Sequence, residues 1–430
     1  MTTRLYSLFF RIRSALWFRP TLASIAAAVL AGLIAGFDSA LPQAVAVPAI
    51  DPESVKDLLN LLASSMLTVT TVTLSALMVV LNMAVSQASP RALPGLMADE
   101  VTQNALSTFI ATFVFALFGL LGLGLGYYDA SGQTVLFGAG LFLTIWALRY
   151  LVQWIHHIAG TLRLGNIVAR VQSETANSIK RFHEKPLLDA HPAPPRQDLP
   201  TDARLLAMTH SGYLGSIDME GLQEKAEEQD IRIEILVRPE VFLHPDRPAL
   251  AIFPAESELS DEAVEKLLQC LTLGEERSYH QDPLLGLQIL GEIASRALSP
   301  GINDPKTAVI CLDRLEALLS QAAKPSAPQE APKHDRLFLP VLDFGTMIDR
   351  ALHSIARDGA KAVDVVLRQI AALERIAQAA PAGHIHSVLK QTLDLVQDFA
   401  EAGLVLETDR DTVRQAATRL RHRLSGTEPA

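Results

Sequence analysis

The stretch from Leu58 to Ser86 reads LLNLLASSMLTVTTVTLSALMVVLNMAVS and contains no Asp, Glu, Lys or Arg. It exceeds the roughly 20 residues that a helix needs to cross the hydrocarbon core of a bilayer. It therefore predicts a membrane-spanning helix, and this prediction decides the fold class. Three further apolar runs predict spans at about 20–41, 105–128 and 135–158. We expect an α-helical membrane protein with four transmembrane helices.

The charge is distributed unevenly along the chain. Of 430 residues, 49% are hydrophobic and 20% are charged, and the formal net charge is −10. Residues 1–160 hold seven of the 37 Lys and Arg and seven of the 47 Asp and Glu, so residues 161–430 hold the other 30 and 40. Nucleic acids bind through Lys and Arg, which neutralise phosphates. An acidic region without a basic run therefore predicts no nucleic-acid partner.

Basic residues predict the orientation of the spans. Arg4, Arg11, Arg13 and Arg19 precede the first run, and Arg163 and several others follow the fourth. Loops rich in Lys and Arg stay in the cytoplasm. The first run is longer than the apolar part of a signal peptide, which favours an uncleaved anchor. We expect a multi-pass protein of the cell inner membrane with both termini cytoplasmic and the lipid bilayer as its first partner.

Polar residues recur within the second run. They are spaced three, four or seven residues apart and so lie on one helical face: Ser64, Thr68, Thr71, Ser75, Asn82 and Ser86. Two interpretations stay open, a seam where helices pack closely and the wall of a water-filled pore. No ionisable residue interrupts the run, so the relay of a proton-coupled carrier is not expected.

Arg149 and Gln153 form a second polar pair, near the end of the fourth run. Arg149 can extend its guanidinium to the cytoplasmic headgroups, as long basic side chains do near helix ends. Alternatively, both side chains face an aqueous vestibule.

The acidic region divides into three predicted parts. Residues 161–200 predict a helical stalk and a Pro-rich linker, 201–280 a small cytoplasmic α+β domain, and 281–430 a mainly helical cytoplasmic domain with a disordered linker near 323–335. The α+β pattern predicts strands at 204–209 and 213–217 around a turn, strands at 231–237 and 249–253, and helices that begin after Asp218 and Ser260. The second of these helices is expected to reach about Leu271.

Two Asp-Pro steps mark the third part. They occur in Gln281-Asp282-Pro283 and in Ser299-Pro300-Gly301-Ile302-Asn303-Asp304-Pro305. Asp at the N-cap followed by Pro at the first helical position is a common helix start. The alternative is a polar site where two helix N-termini meet, with Asp282, Arg296, Asn303 and Asp304 around it. The sequence has no recognisable catalytic or metal-binding motif, so we expect neither an enzyme nor a cofactor.

These motifs, together with Ser86-Gln87-Ala88-Ser89-Pro90-Arg91 at the end of the second run, resemble a family of predicted bacterial membrane proteins, the domain of unknown function 2254. The resemblance covers roughly residues 15–400 and implies a topology without an activity. Its motif residues here are Gln87, Pro90, Arg91, Gln281, Asp282, Pro283, Arg296, Ser299, Pro300, Gly301, Asn303, Asp304 and Pro305. In one departure, Arg238-Pro239-Glu240 stands where the family has a Pro-Gly turn.

Four spans are too few to enclose a pore within one chain, so a pore requires a homo-oligomer around a symmetry axis. We expect an oligomeric channel- or transporter-like protein with a cytoplasmic regulatory domain, acting on a small ion or ligand. The alternative is a membrane-anchored sensor or scaffold that binds a protein or small ligand through its cytoplasmic domain.

Overall fold

A computed structural model describes residues 17–36, 50–87, 100–161, 164–195, 198–325, 331–380 and 383–425. The chain forms two compact units, Met1–Asn166 and Ile167–Ala430.

The first unit consists of long helices in its described part. They are α1 (Phe18–Gly36), α2 (Pro52–Gln87), α3 (Glu100–Gly124) and α4 (Ala130–Thr161). All four are long and apolar enough to cross a membrane, as the sequence predicts. The last three begin about five residues before the predicted spans. The reason is that a helix continues past the hydrocarbon boundary, and the polar residues at its end are excluded from an apolar window.

Helix α3 is the centre of the first unit, since it packs against α1, α2 and α4. Phe109 and Phe115 on α3 are fully buried. At one end of the unit, the Tyr128 hydroxyl donates a hydrogen bond of 2.9 Å to the carbonyl of Ala31 on α1. Helix α1 is thereby fixed to the segment that joins α3 and α4.

Arg19 fixes the relative direction of two helices. Its guanidinium, at the start of α1, donates to Asn104 at 2.9 Å and to Glu100 at 2.6 Å, both at the start of α3. Helices α1 and α3 therefore begin at the same end of the unit. Helices α2 and α4 run in the opposite direction. The N-terminal end of α1 and the C-terminal end of α4 therefore lie at the same end of the first unit.

The second unit mixes helices and strands. Its elements in chain order are α5 (Leu164–Glu184, which begins at the boundary), β1 (Ala190–Pro192), β2 (Arg204–Ala207), β3 (Gly212–Ile217), α6 (Met219–Glu228), β4 (Arg232–Ile235), β5 (Phe242–Leu243), β6 (Pro248–Phe253), α7 (Asp261–Leu268), β7 (Leu271–Gly274), α8 (Leu284–Ala297), α9 (Pro305–Ala322), β8 (His334–Leu339), α10 (Phe344–Asp358), α11 (Val363–Ala379), α12 (His384–Gly403) and α13 (Glu407–Leu424).

The strands form two sheets. One has the order β1-β8-β4-β6-β2, with β8 parallel to both of its neighbours, and the other has the order β5-β3-β7. A shared core lies between them and α6 and α7, and it includes the fully buried Leu222, Ile233 and Leu250. Strand β8 enters the sheet after the α8–α9 hairpin, so the larger sheet draws on both sides of the predicted boundary at residue 280.

Three strand predictions are wrong. Strands β2 and β3 do not pair around a turn, because β2 pairs with β6 whereas β3 pairs with β5 and β7. The Pro-rich linker contains β1, which is possible because an edge strand tolerates proline. Helix α7 ends at Leu268, and residues 271–274 form β7 instead of its last turn.

The remaining helices agree with the sequence. Ser260 caps α7 by accepting from the Ala263 N–H, and Asp218 caps α6 by accepting from the Gly221 N–H. Helices α8 to α13 make up most of the part predicted to be mainly helical. The centre of the predicted linker near 323–335 falls outside the described residues.

Candidate functional site

The polar stripe of α2 lies on the surface of the first unit. Ser64, Thr68, Thr71, Ser75 and Asn82 are all exposed. The opposite face of α2, which includes Val55, Leu59 and Leu62, is buried in the core of the unit. The stripe therefore does not pack against another described helix of the same chain. The side chain of Ser86 lies outside the described residues.

The stripe hydroxyls bond to their own helix. Thr68 donates to the Ser64 carbonyl, Thr71 to that of Leu67, and Ser75 to that of Thr71, each at 2.9 Å. These bonds satisfy the hydroxyl donors without water, while the oxygen lone pairs still face outward. The hydroxyls can therefore tolerate a dry neighbour and can also accept hydrogen bonds from water.

The stripe is longer than the sequence prediction. Glu53, Asp57 and Asn60 are exposed, and they continue the spacing of four, three and four residues up to Ser64. Within this face, from residue 53 to residue 82, Met78 is the one apolar residue at that spacing. Charged residues end an apolar run, so this extension lies outside the predicted span, although the three-four spacing could have revealed it.

Arg149 and Gln153 are exposed on α4. The Arg149 guanidinium lies over the rings of Trp146 and Tyr150, at 5.3 and 5.4 Å from their centroids. Trp and Tyr concentrate at membrane–water interfaces, and cation–π contacts hold a guanidinium against them. These contacts support the interpretation that Arg149 reaches an interface.

Gln281 of the first family motif joins two parts of the second unit. Its Oε1 accepts from the Ile217 N–H at 2.9 Å, and its Nε2 donates to the Ile217 carbonyl at 3.1 Å. The amide thus pairs with the end of β3 as a neighbouring strand would. It fixes the start of α8 to the smaller sheet.

Asp282 is the buried centre of a charge cluster. One carboxylate oxygen accepts from the N–H groups of Leu284 and Leu285 at 3.0 and 3.1 Å, and the other accepts from Arg277 Nε at 2.7 Å. The residue is 1% exposed. Burial raises its pKa to about 6, although the guanidinium of Arg277 acts in the opposite direction.

The predicted start of α8 needs a correction. The helix begins at Leu284 with Pro283 at the N-cap position, so Asp282 precedes the cap. Its carboxylate still reaches the first two N–H groups of the helix, because proline has no N–H of its own to place between them. Asp282 therefore performs the capping role from one position earlier.

Asp304 caps α9 as the sequence predicts. It accepts from the Thr307 N–H at 3.2 Å and from the Thr307 hydroxyl at 2.7 Å, and Pro305 follows in the first turn. These bonds lower the pKa of Asp304. Asn303 takes a left-handed backbone conformation with φ of 48°, which asparagine tolerates better than most residues. Pro300 and Gly301 are exposed in the same loop.

The two Asp-Pro steps do not form one site. Asp282 precedes the start of α8, whereas Arg296, Asn303 and Asp304 lie at its end, where the Asp304 N–H donates to the Ala297 carbonyl at 2.8 Å. The 14 residues of α8 span about 20 Å at 1.5 Å per residue. The two helix N-termini are therefore at opposite ends of a hairpin, which excludes the predicted joint polar site.

The departure from the family turn has a structural consequence. Glu240 has a φ of 139°, in the region where glycine carries no steric cost. Its carboxylate lies 3.7 Å from the Arg277 guanidinium, next to Asp282. Nearby, burial lowers the pKa of Arg238 to about 10, and its guanidinium donates to the carbonyls of Pro340 and Pro186.

Only some of the remaining family-motif residues are among the described residues. Gln87 is the last residue of α2, and its side chain lies outside the described residues. Pro90 and Arg91 lie outside them altogether. Ser299 closes the end of α8 by donating its hydroxyl to the Arg296 carbonyl at 2.7 Å.

The four apolar helices followed by a mixed helix and sheet region define the class of an α-helical multi-pass membrane protein. Within that class, residues 13–375 match the family described as "Predicted membrane protein (DUF2254)", and the chain belongs to this family.

Curated relatives come from mycobacteria. An uncharacterized protein of Mycobacterium bovis is 26% identical over 381 residues, which cover 86% of this chain and 72% of that protein. An uncharacterized protein of Mycobacterium tuberculosis has the same identity and coverage. No solved structure matches the chain significantly.

Proposed function

We propose that this protein is an inner-membrane homo-oligomer of channel or transporter type, with α2 of each copy lining an aqueous path. The observation that carries the proposal is the exposed polar face of α2. Polar side chains at bilayer depth face protein or water much more often than lipid. Because the described helices of the same chain leave this face uncovered, further copies arranged around a symmetry axis would enclose it.

The chemistry of the stripe indicates what the path could pass. Hydroxyl and amide groups between residues 64 and 82 offer hydrogen-bonding partners to a hydrated solute. Glu53 and Asp57 add carboxylates at one end of the same face. The transported solute would be a small ion or polar molecule that keeps part of its hydration.

The second unit is proposed to lie in the cytoplasm and to regulate the aqueous path. Helices α1 and α3 begin at the same end of the first unit. This arrangement supports an even number of membrane crossings, with the N-terminal end of α1 and the C-terminal end of α4 on one side of the membrane. The concentration of Lys and Arg at those ends supports the cytoplasm as that side.

Cysteine labelling of α2 in proteoliposomes tests the aqueous path. In a Cys270→Ser background, Ser64→Cys and Ser75→Cys should react with a water-soluble thiol reagent. Leu67→Cys and Leu74→Cys are matched controls on the flank of the stripe, and these leucines are 54% and 46% exposed. They should stay unreactive, because hydrocarbon suppresses the reactive thiolate. The native Cys311 is buried and can remain.

Solute flux and oligomeric state complete the test. The reagent should reduce ion flux from Ser75→Cys proteoliposomes and leave the Leu74→Cys flux unchanged. A monomer in native mass spectra together with unreactive stripe cysteines would overturn the proposal. That result would favour the membrane-anchored sensor or scaffold.

A further inference from the structure

One face of the larger sheet carries arginine and phenylalanine side chains. Arg232 on β4 is paired in register with Phe253 on β6, and the parallel register places Glu234 beside Phe338 on β8. Side chains alternate between the two faces of a strand. Since Ile233 and Ile235 lie in the core, Arg232 points to the opposite face of the sheet.

Arg232 is stacked between two aromatic rings on this face. Its guanidinium carbon lies 5.5 Å from the ring centroid of Phe253 and 5.9 Å from that of Phe338. Stacking uses the flat face of the guanidinium and leaves the N–H donors at its edge. Because Arg232 is exposed, these donors can reach a bound molecule.

A second arginine stands beside the first. Arg336 is two residues before Phe338 on the neighbouring strand, so it shares the face of Arg232. It donates to Asp230 at 2.8 Å, and the Asp230 side chain is 90% exposed. Exposed ion pairs contribute little to stability. This pair can therefore open at little cost and release the Arg336 donors to a ligand.

These side chains line a cleft, which we call the sheet cleft. It has a volume of about 400 Å³, and Asp202, Arg232, Phe253 and Arg336 are among its walls. This volume is within the range of small-molecule sites, which is roughly 300–1,000 Å³.

We propose that the sheet cleft binds a mononucleotide. The two guanidinium groups suit a phosphate, which arginine binds through paired N–H donors. Phe253, which lines the sheet cleft, offers a ring on which a base can stack. Asp202 can accept a hydrogen bond from a ribose hydroxyl. Each part of a nucleotide thus has a matching group.

The charges around the sheet cleft limit the kind of ligand that it can bind. Asp202 and Asp230 offset the two arginines, so a bare phosphate gains little without the stacking and ribose contacts. The net charge of −10 for the chain disfavours a polynucleotide, whose binding depends on neutralising many phosphates. A single nucleotide supplies the stacking and ribose contacts and carries only one phosphate.

Calorimetric titration of the full-length protein in detergent tests this site. The ligands are the four common nucleoside 5′-monophosphates, each measured separately, with inorganic phosphate and adenosine as partial ligands. At least one nucleotide should bind saturably and more tightly than either partial ligand. Arg232→Gln and Phe253→Leu should each weaken binding about tenfold or more, because each removes one recognition group.

Two substitutions, on β5 and in the loop that follows it, are matched controls. Arg247 and Phe242 are exposed there, outside the sheet cleft, so Arg247→Gln and Phe242→Leu should leave binding unchanged. Hydrogen exchange of β4 and β6 peptides verifies that the variants are folded. Absence of saturable binding by every nucleotide at 10 mM would overturn the proposal. Equal effects of the control and cleft variants, or tighter binding of an RNA oligomer than of any nucleotide, would also overturn it.

Discussion

The charge of Asp282 should make the stability of the second unit depend on pH. Burial raises the pKa of this carboxyl from an ordinary 3.8 to about 6 in the folded protein. The folded state therefore holds the proton more tightly than the unfolded state does. Its contribution to stability is complete below about pH 4 and is lost as the pH rises through about 6. A pKa difference of about 2, at 1.4 kcal/mol for each pH unit, corresponds to about 3 kcal/mol.

Asp282→Asn removes this titration and keeps a similar shape. The free energy of unfolding of the variant, minus that of the wild type, should increase by about 2.5 kcal/mol between pH 4 and pH 7.5. Its value at pH 4 also contains the effect of the altered hydrogen bonds, so the change with pH is the quantity to compare.

Hydrogen exchange with mass spectrometry is the suitable assay. All three tryptophans, Trp17, Trp146 and Trp154, precede residue 167, so tryptophan fluorescence does not report on the second unit. Exchange of α8 amides in wild type and variant, compared at each pH, gives the difference in opening free energy. Asp304→Asn is the control, because the pKa of Asp304 is lowered and its pH trend should have the opposite sign.

A difference that stays constant, or that falls as the pH rises, would refute this reasoning. It would mean that Arg277 and the N–H groups of Leu284 and Leu285 stabilise the carboxylate more than burial destabilises it.

Three further predictions concern capping, packing and topology. Asp304→Ala should lower the free energy of unfolding by about 0.5–2 kcal/mol, whereas Asp304→Asn should be nearly neutral at pH 7, because asparagine caps almost as well; exchange of α9 amides measures both. Gly286→Ala should destabilise the second unit by about 1–3 kcal/mol, because an added Cβ would overlap the Thr175 side chain. Gly301→Ala is its control, since an added Cβ there would meet no atom within 4 Å beyond its chain neighbours, and equal exchange of α5 and α8 in the two variants would contradict the packing argument. A reporter active only outside the cytoplasm should stay silent when fused to either terminus, and activity at one terminus would contradict the proposed topology.

The sequence predicted elements whose signal is local. Apolar runs identified the four long helices, and caps such as Ser260 and Asp304 identified helix starts, because both depend on residues within one or two turns. Strand pairing was not predictable in the same way. Pairs such as Ile233 with Leu337 join segments about 100 residues apart, and no local pattern encodes that choice.

The two candidate sites also differ in whether a local sequence pattern reveals them. The stripe of α2 follows from spacing along one helix, so the sequence revealed most of it. The sheet cleft combines Arg232, Phe253 and Arg336 from three strands. None of these residues has an unusual local context, and only the register of the sheet brings them together.

The late position of β8 has a consequence for synthesis on the ribosome. Strand β8 lies between β1 and β4 in the larger sheet, yet about 140 residues separate β1 from β8 in the chain. At roughly 5–20 residues per second, the ribosome takes about 7–28 seconds to make that interval. Until then, β4 exposes an unpaired edge, which is a template for wrong strand pairing. A nascent chain stalled or truncated before residue 334 should therefore associate with chaperones or aggregate.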